Sequence, residues 1–161
     1  MDLKFVVDHM LGRLAKWLRI LGFDTLYFRD TPDDALVEAA LNENRILLTR
    51  DGPLSKRLPL KSCVFIHHQR YHDQIKEILD VLNIQPDETQ IFSRCTNCNS
   101  PLRTIEKEAV RTKVPPGVFE HQETYWHCEK CDKVYWKGTH FEKSVGILKE
   151  DAQTKGDRRR F

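Results

Sequence analysis

The chain has 161 residues, of which 40% are hydrophobic and 31% charged, with a formal net charge of +2. This composition is typical of a globular protein of one domain or two small ones. No stretch of about 18 apolar residues occurs, so we expect neither a transmembrane helix nor a membrane partner. The apolar run near the start is too short and too charged for a signal peptide, so we expect a cytoplasmic protein.

The first half of the chain predicts strands that alternate with helices. Apolar runs predict four strands, at residues 4–8, 25–28, 45–49 and 63–66. Helical spacing predicts helices over residues 11–21, from Pro32-Asp33-Asp34 onward, over a short turn at 54–58, and over 71–82. Such alternation is typical of a parallel sheet covered by helices on both faces. The expected fold class is therefore α/β, in a first domain of residues 1–88.

A linker at residues 85–88 precedes a cysteine-rich module, which we expect over residues 92–148. Its two C-x2-C pairs are Cys95 with Cys98 and Cys128 with Cys131. Four thiolates suit tetrahedral Zn²⁺ and leave no open position for water, so the expected metal is a structural zinc. Between the pairs we expect an extended loop at 113–117 and a β segment at 123–127, and after the second pair a β segment at 134–137. The two β segments would make the module a zinc ribbon.

Charge is distributed unevenly along the chain. Residues 1–91 carry 12 Lys and Arg against 14 Asp and Glu, whereas residues 92–161 carry 14 against 10. An acidic half beside a basic half fits a metal-dependent site with an attachment that holds a polyanion, but composition alone favours ordinary surface charge and a solvated tail. Residues 149–161 predict a disordered basic tail. The fifth cysteine, Cys63, lies in an apolar run and is expected to be a buried thiol.

Acidic residues follow three of the four predicted strands. Asp8 ends the first strand, Asp33 and Asp34 open the helix after the second, and Asp51 ends the third. The carboxyl ends of parallel strands form one rim of a sheet, where ligands bind. Clustered carboxylates suit Mg²⁺ or Mn²⁺, which can activate water against a phosphodiester. The alternative is structural, because Asp commonly caps helices, and Asp33 or Asp34 is expected to cap this one.

Several of these residues belong to longer motifs. Phe5-Val6-Val7-Asp8, Leu11-Gly12-Arg13-Leu14-Ala15, Trp17-Leu18-Arg19, Leu21-Gly22 and Asp24 together resemble the opening motif of the mut-seven C-terminal RNase domain family, a branch of the PIN-like nucleases. The run Arg45-Ile46-Leu47-Leu48-Thr49-Arg50-Asp51 resembles its second motif. The two cysteine pairs, with Arg94, Asn99, Tyr135-Trp136, Gly138 and His140, resemble its zinc-ribbon half.

The resemblance implies a PIN-like fold, a zinc ribbon and metal-dependent ribonuclease activity. Asp8 and Asp51 match the first and last acids of the family pattern. The middle acid is Asp33 or Asp34, with Asp33 slightly favoured and Asp30 in reserve. PIN-like nucleases usually carry a fourth acid, which we cannot assign here, so the number of catalytic Mg²⁺ or Mn²⁺ ions stays open.

Basic and aromatic residues supply candidate RNA contacts. Arg13 and Arg50 lie near the acids and can contact phosphate, although pairing with carboxylates, as for Arg19, is the slightly favoured alternative. In the cysteine module the candidates are Lys133, Trp136 and Lys137. The aromatic residues Tyr125, Trp126 and Tyr135 lie near them in the sequence. Packing of a thin core explains those aromatic residues equally well. His67 and His68 fit an ordinary strand end, and His127 and His140 fit ribbon packing or RNA contacts.

The favoured function is a metal-dependent ribonuclease, specifically an endonuclease, whose ribbon binds RNA or a protein partner. One alternative is a non-catalytic RNA- or ribosome-binding module that keeps the PIN-like fold. Another is a toxin-like nuclease controlled by a partner. A third is a zinc-ribbon adaptor for protein interactions.

Overall fold

A computed structural model describes residues 3–139, 141–142 and 146. The described residues form two compact units: the first runs up to Leu102 and includes Cys128–Cys131, and the second contains Arg103–His127 and residues from Asp132 onward. Both cysteine pairs therefore belong to the first unit. The predicted basic tail at 149–161, and His140, lie outside the described residues.

The first unit is built on four parallel strands. They are β1 (Lys4–Val7), β2 (Asp24–Tyr27), β3 (Ile46–Thr49) and β4 (Cys63–Phe65), paired in the order β2-β1-β3-β4. Its helices are α1 (Gly12–Ile20), α2 (Asp33–Asn42), α3 (Gly52–Ser55) and α4 (Tyr71–Val81). This sheet with its helices confirms the predicted α/β fold class, and the four cysteines that follow are consistent with a zinc ribbon.

Side chains of the strands alternate between two helical layers. Val6 and Leu47 pack in one buried cluster with residues of α2 and α3 and with Cys63. Phe5, Val7 and Leu48 point to the opposite face, where α1 packs against α4. Cys63 is the predicted buried thiol, and burial raises its pKa.

The segment after α4 returns to α1. Ile91 and Phe92 are buried, and the Phe92 backbone N–H donates to the Ile20 carbonyl at 2.9 Å. Gly22 lies close to Gln90 and has a φ of +95°, which a side chain rarely adopts. The boundary expected at residues 88–92 stays a prediction, because compactness alone does not test independent folding.

The second unit contains a small sheet and the short helix α5 (Pro116–His121). Strands β5 (Arg103–Ile105), β6 (Tyr125–Cys128) and β7 (Lys133–Tyr135) lie in that order, and β5 runs antiparallel to β6. The predicted extended loop at 113–117 is wrong at its end, since Pro116 and Gly117 begin the helix α5. Proline has no N–H to lose at the first helical position, so it starts a helix here instead of breaking one.

Buried Val110, Val114 and Tyr125 form the core of the second unit. Among the described residues, no helix has the length and apolar character needed to span a membrane.

Candidate active site and metal centre

Asp8 follows directly after the central strand β1 and continues its pairing. Its backbone N–H donates to the Leu48 carbonyl at 3.0 Å, and the side chain is buried. The carboxylate Oδ2 accepts a hydrogen bond of 2.7 Å from the Thr49 hydroxyl, and Oδ1 lies 2.7 Å from Nδ1 of His9. Both carboxylate oxygens therefore have a partner, as a buried carboxylate requires.

Asp51 follows β3 and begins α3. Its Oδ1 accepts a hydrogen bond of 2.7 Å from the Leu54 N–H, so the side chain caps the helix. Its own N–H donates to the Thr49 hydroxyl at 2.9 Å. The Thr49 hydroxyl thus joins the carboxylate of Asp8 to the backbone of Asp51.

Sequence reasoning missed Thr49 as a site residue. Thr49 ends β3, and Leu48 pairs with Val7, so Thr49 lies opposite Asp8 in the same register. The threonine could have been found only by assuming that β1 and β3 are neighbours, which the order of strands along the chain does not establish.

The strand order makes the gap between β1 and β3 the switch point of the sheet. From β1 the chain moves to β2 on one side, whereas β3 lies on the other side. The helices on either side of such a point diverge, and ligands of open α/β sheets bind in the crevice outside the carboxyl ends of the strands. Asp8 and Asp51 follow the two strands that border this crevice.

Asp33 and Asp34 lie in the exposed first turn of α2. The expectation that one of them caps the helix is wrong: Pro32 occupies the cap position, and no side chain makes the capping bond. Asp34 instead pairs with Arg57. Among the described residues, the four acids do not form a group of three whose carboxylate oxygens lie within 4.8 Å of one another.

The four cysteines do form such a group. Their sulfur atoms all lie within 4.8 Å of one another, and those of Cys98 and Cys128 are 3.5 Å apart. Zinc–sulfur bonds of about 2.3 Å in a tetrahedron require sulfur atoms about 3.8 Å apart. The cluster can therefore hold a metal such as zinc.

The hydrogen bonds of the cluster also favour a cation. Burial would raise the pKa of Cys98, but hydrogen bonds from Ser100 outweigh it and lower that pKa to about 6. Burial and the neighbouring thiols raise the pKa of Cys128 to about 12. Four thiols this close cannot all ionise by themselves, whereas a divalent cation binds them all as thiolates.

Arg19 connects the first cysteine pair to the sheet. Its buried guanidinium donates to the carbonyls of Thr25, Thr96 and Asn97 at 2.9 to 3.1 Å. Thr25 lies in β2, and Thr96 and Asn97 are the two residues between Cys95 and Cys98. Arg19 therefore supports the metal centre, a role that the sequence alone did not suggest.

Asp24 provides a second connection. Its carboxylate accepts hydrogen bonds of 2.8 Å from Arg45 and from Asn99, while the Thr25 N–H donates to the Asn99 side chain at 3.0 Å. Burial would raise the pKa of Asp24, but these hydrogen bonds and the charges of Arg45 and Arg94 outweigh it, so that pKa lies below its usual range. Asp24 therefore remains ionised within the structure.

The remaining candidates have varied surroundings. The Arg13 guanidinium lies 5.1 Å from the centre of the Tyr71 ring, and Arg50 is half-buried. In the second unit Lys133 is exposed, Lys137 lies 5.7 Å over the Trp126 ring, and Trp136 packs against the core. Contact between these residues and RNA stays a prediction.

Four further candidates have structural surroundings. Tyr125 is fully buried, which favours packing over base stacking for this residue. The Nδ1 atoms of His67 and His68 lie 2.6 and 2.9 Å from the Glu77 carboxylate. His127 lies 2.8 Å from Asp132.

The fold and the site define a class of protein: an α/β domain with carboxylates at its switch point, joined to four cysteines that can hold a metal. A family model described as the Mut7-C RNAse domain matches residues 3–148. The chain therefore belongs to the Mut7-C RNAse domain family.

One relative is a human (Homo sapiens) protein named Exonuclease mut-7 homolog. It is 33% identical to this chain over 101 residues, which cover 60% of this chain and 12% of the human protein. Family membership and this similarity support a nuclease function. The name of the human protein describes a much longer molecule, so it does not distinguish cutting at RNA ends from cutting within a strand.

Proposed function

We propose that the chain is a metal-dependent ribonuclease that cuts RNA internally. Membership of an RNase domain family implies RNA as the substrate class. The observation that carries the proposal is the Thr49 hydroxyl, which holds the carboxylate of Asp8 and the backbone of Asp51 together at the switch point of the sheet.

The chemistry of these residues fits a hard cation. Mg²⁺ keeps several water ligands and is commonly bound through one or two carboxylates, so Asp8 and Asp51 are sufficient protein ligands. Asp33 or Asp34 would add a third carboxylate from the start of α2. Oδ1 of Asp8 becomes available when His9 turns away, and the His9 side chain is 60% exposed.

Each residue has a definable part in the reaction. When bound, Mg²⁺ or Mn²⁺ supplies an acidified water and positive charge beside the phosphate that is attacked. Thr49 holds Asp8 in one orientation, and capping of α3 does the same for Asp51. Carboxylates that are fixed before the substrate arrives need no reorganisation during the reaction.

The test uses circular single-stranded RNA, which has no ends and is cut only by an endonuclease. With Mn²⁺ in metal-depleted buffer, the chain should linearise the circle, and Asp8→Asn or Asp51→Asn should lower the rate at least a hundredfold. Glu120→Gln, an exposed acid in the second unit, is the matched control. Asp30→Asn, Asp33→Asn and Asp34→Asn, made separately, identify the third acid.

Three results would contradict the proposal. Cleavage of linear but not circular RNA would make the chain an exonuclease. RNA binding without cleavage and without metal dependence would favour a non-catalytic binding module. Equal cleavage rates for Asp8→Asn and the wild type would show that Asp8 takes no part in the reaction.

A cytoplasmic location and a protein partner for the ribbon stay predictions.

A further inference from the structure

A cavity of about 350 Å³ lies between the first turns of α1 and α4. Its lining includes Met10, Arg13, Gln69, Arg70, Tyr71 and His72. No Asp or Glu is among the residues that line it. The cavity is thus a cationic and aromatic site within the half of the chain that carries a net negative charge.

Its two arginines are available to bind a ligand. Arg13 and Arg70 are both exposed, and among the described residues neither forms an ion pair with a carboxylate. Most other arginines of the first unit differ, because Arg19, Arg45, Arg57 and Arg94 have backbone or carboxylate partners. Two unpaired guanidinium groups at one cavity favour an anion, and their planar geometry suits phosphate.

Aromatic rings hold one side of the cavity in place. Tyr71 stacks on Trp17 with ring centres 5.6 Å apart and planes 19° apart. The Arg13 guanidinium lies over the Tyr71 ring, which limits the positions that the arginine adopts. Aromatic rings and guanidinium planes are the surfaces on which unpaired nucleobases stack.

The cavity lies at the same rim as the proposed catalytic carboxylates. Met10 belongs to the short 3₁₀ turn His9–Leu11 that joins Asp8 to α1, and α4 follows the loop after β4. Both helices therefore begin at the carboxyl end of the sheet. The first turn of α4 has no side-chain cap but carries Asp73, whose charge opposes the attraction of the helix dipole for phosphate. The attraction for phosphate therefore rests on the two arginines.

We propose that this cavity binds one nucleotide of single-stranded RNA next to the bond that is cut. Arg13 and Arg70 hold the flanking phosphates, and the Arg13–Tyr71 pair provides the stacking surface for the base. The proposal rests on the proposed ribonuclease function for its ligand, but it concerns binding and can fail separately.

The test measures binding of a short fluorescein-labelled single-stranded RNA by fluorescence anisotropy, with Asp8→Asn present in every protein to prevent cleavage. Adding Arg13→Gln and Arg70→Gln should raise Kd about tenfold. The slope of log Kd against log salt should fall by about 1.4, since each phosphate contact on a single strand contributes roughly 0.7. The matched control is Lys16→Gln with Lys61→Gln, which also removes two exposed positive charges but lies outside the cavity.

A second measurement locates the base directly. RNA that contains 4-thiouridine should cross-link under near-ultraviolet light to the peptide that contains Met10 or Tyr71. Urea unfolding checks that the double variant is folded; if it is not, Arg70→Gln alone provides the test, because that side chain is exposed.

The outcomes separate the two proposals. Equal Kd values for the double variant and its lysine control would overturn the cavity proposal, while cleavage of circular RNA by the wild type would leave the proposed function intact. Displacement of the RNA by polyglutamate as effectively as by unlabelled RNA would make the cavity an acidic-peptide site and also overturn it. Absence of any RNA binding together with absence of cleavage would overturn both.

Discussion

Thr49 is a single buried residue that serves both catalytic candidates. Thr49→Val keeps the shape but leaves an oxygen of Asp8 and the N–H of Asp51 without this partner. A hydrogen bond to a charged group contributes about 1.5–3 kcal/mol, so we expect a loss of that size in the free energy of unfolding, measured in urea. RNA cleavage should fall with it. Thr49→Ser keeps the hydroxyl and should retain most of the stability and most of the cleavage rate. Equal losses of stability and cleavage in Thr49→Val and Thr49→Ser would contradict the role of the hydroxyl.

Gly22 combines a backbone conformation that a side chain rarely adopts with close contacts to Gln90. Its φ is +95°, and a Cβ there would lie 2.5 Å from the Gln90 carbonyl oxygen. Gly22→Ala should therefore destabilise the chain by more than the roughly 1 kcal/mol cost of the left-handed conformation alone. Gly117→Ala has open space, and Ala favours its helix, so the urea midpoint of this control should not fall. Equal midpoints for the two variants would contradict the close approach.

At the level of elements, Glu77 of α4 fixes the loop that follows β4. Its carboxylate accepts hydrogen bonds from the N–H groups of His67 and His68 and contacts both rings. Burial would raise the pKa of Glu77, but these bonds outweigh it and lower that pKa to about 2, from an ordinary value near 4.5. The group titrates at lower pH in the folded state than in the unfolded state.

The sign of the pH effect follows from this shift. The contribution of Glu77 to stability is fully present above pH 4.5 and is lost as the pH falls towards about 2. Urea unfolding across this range should show a decrease for the wild type that is smaller in Glu77→Gln. The exposed Glu120→Gln serves as control. Parallel pH curves for the wild type and Glu77→Gln would show that the carboxylate is not responsible.

The strands and helices differ in how well the sequence predicted them. The four strands of the first unit were predictable from their apolar runs, and α1, α2 and α4 from apolar residues at helical spacing. The short helix α3 begins two residues before the turn expected at 54–58. Strand β5 was not, since three residues with two exposed side chains carry no period. The start of α5 was missed because a proline was interpreted as a helix breaker. The site was half predictable: chain position identified Asp8 and Asp51, but only strand pairing identifies Thr49.

At the level of the whole molecule, the four-cysteine cluster and the parallel sheet share one compact unit. Arg19 and Asn99 make contacts that span 74 to 78 residues along the chain, and no local pattern reports such contacts. Composition alone therefore suggested a domain boundary at the linker of residues 85–88. The structure shows contacts between the sheet and the first cysteine pair that composition does not reveal.

The role of these contacts is testable by removing the metal. If zinc fixes the first cysteine pair, a chelator should lower the thermal midpoint of the sheet as well as that of the cysteine region. Hydrogen exchange should then quicken in β2, where Thr25 contacts Asn99. Cys128→Ser should reproduce the effect without chelator. Unchanged exchange in β2 would instead support two independent domains, as predicted from the sequence.

Because Cys63 is buried, the number of reactive thiols can be used to measure metal occupancy. The sequence has five cysteines, of which four form the metal cluster and the fifth lies within the core of the sheet. A colourimetric disulfide reagent should modify no thiol quickly while zinc is bound, four after chelation, and all five only in denaturant. The number of fast-reacting sulfurs per molecule then reports metal occupancy, so any preparation can be assayed for its zinc content before its nuclease activity is compared.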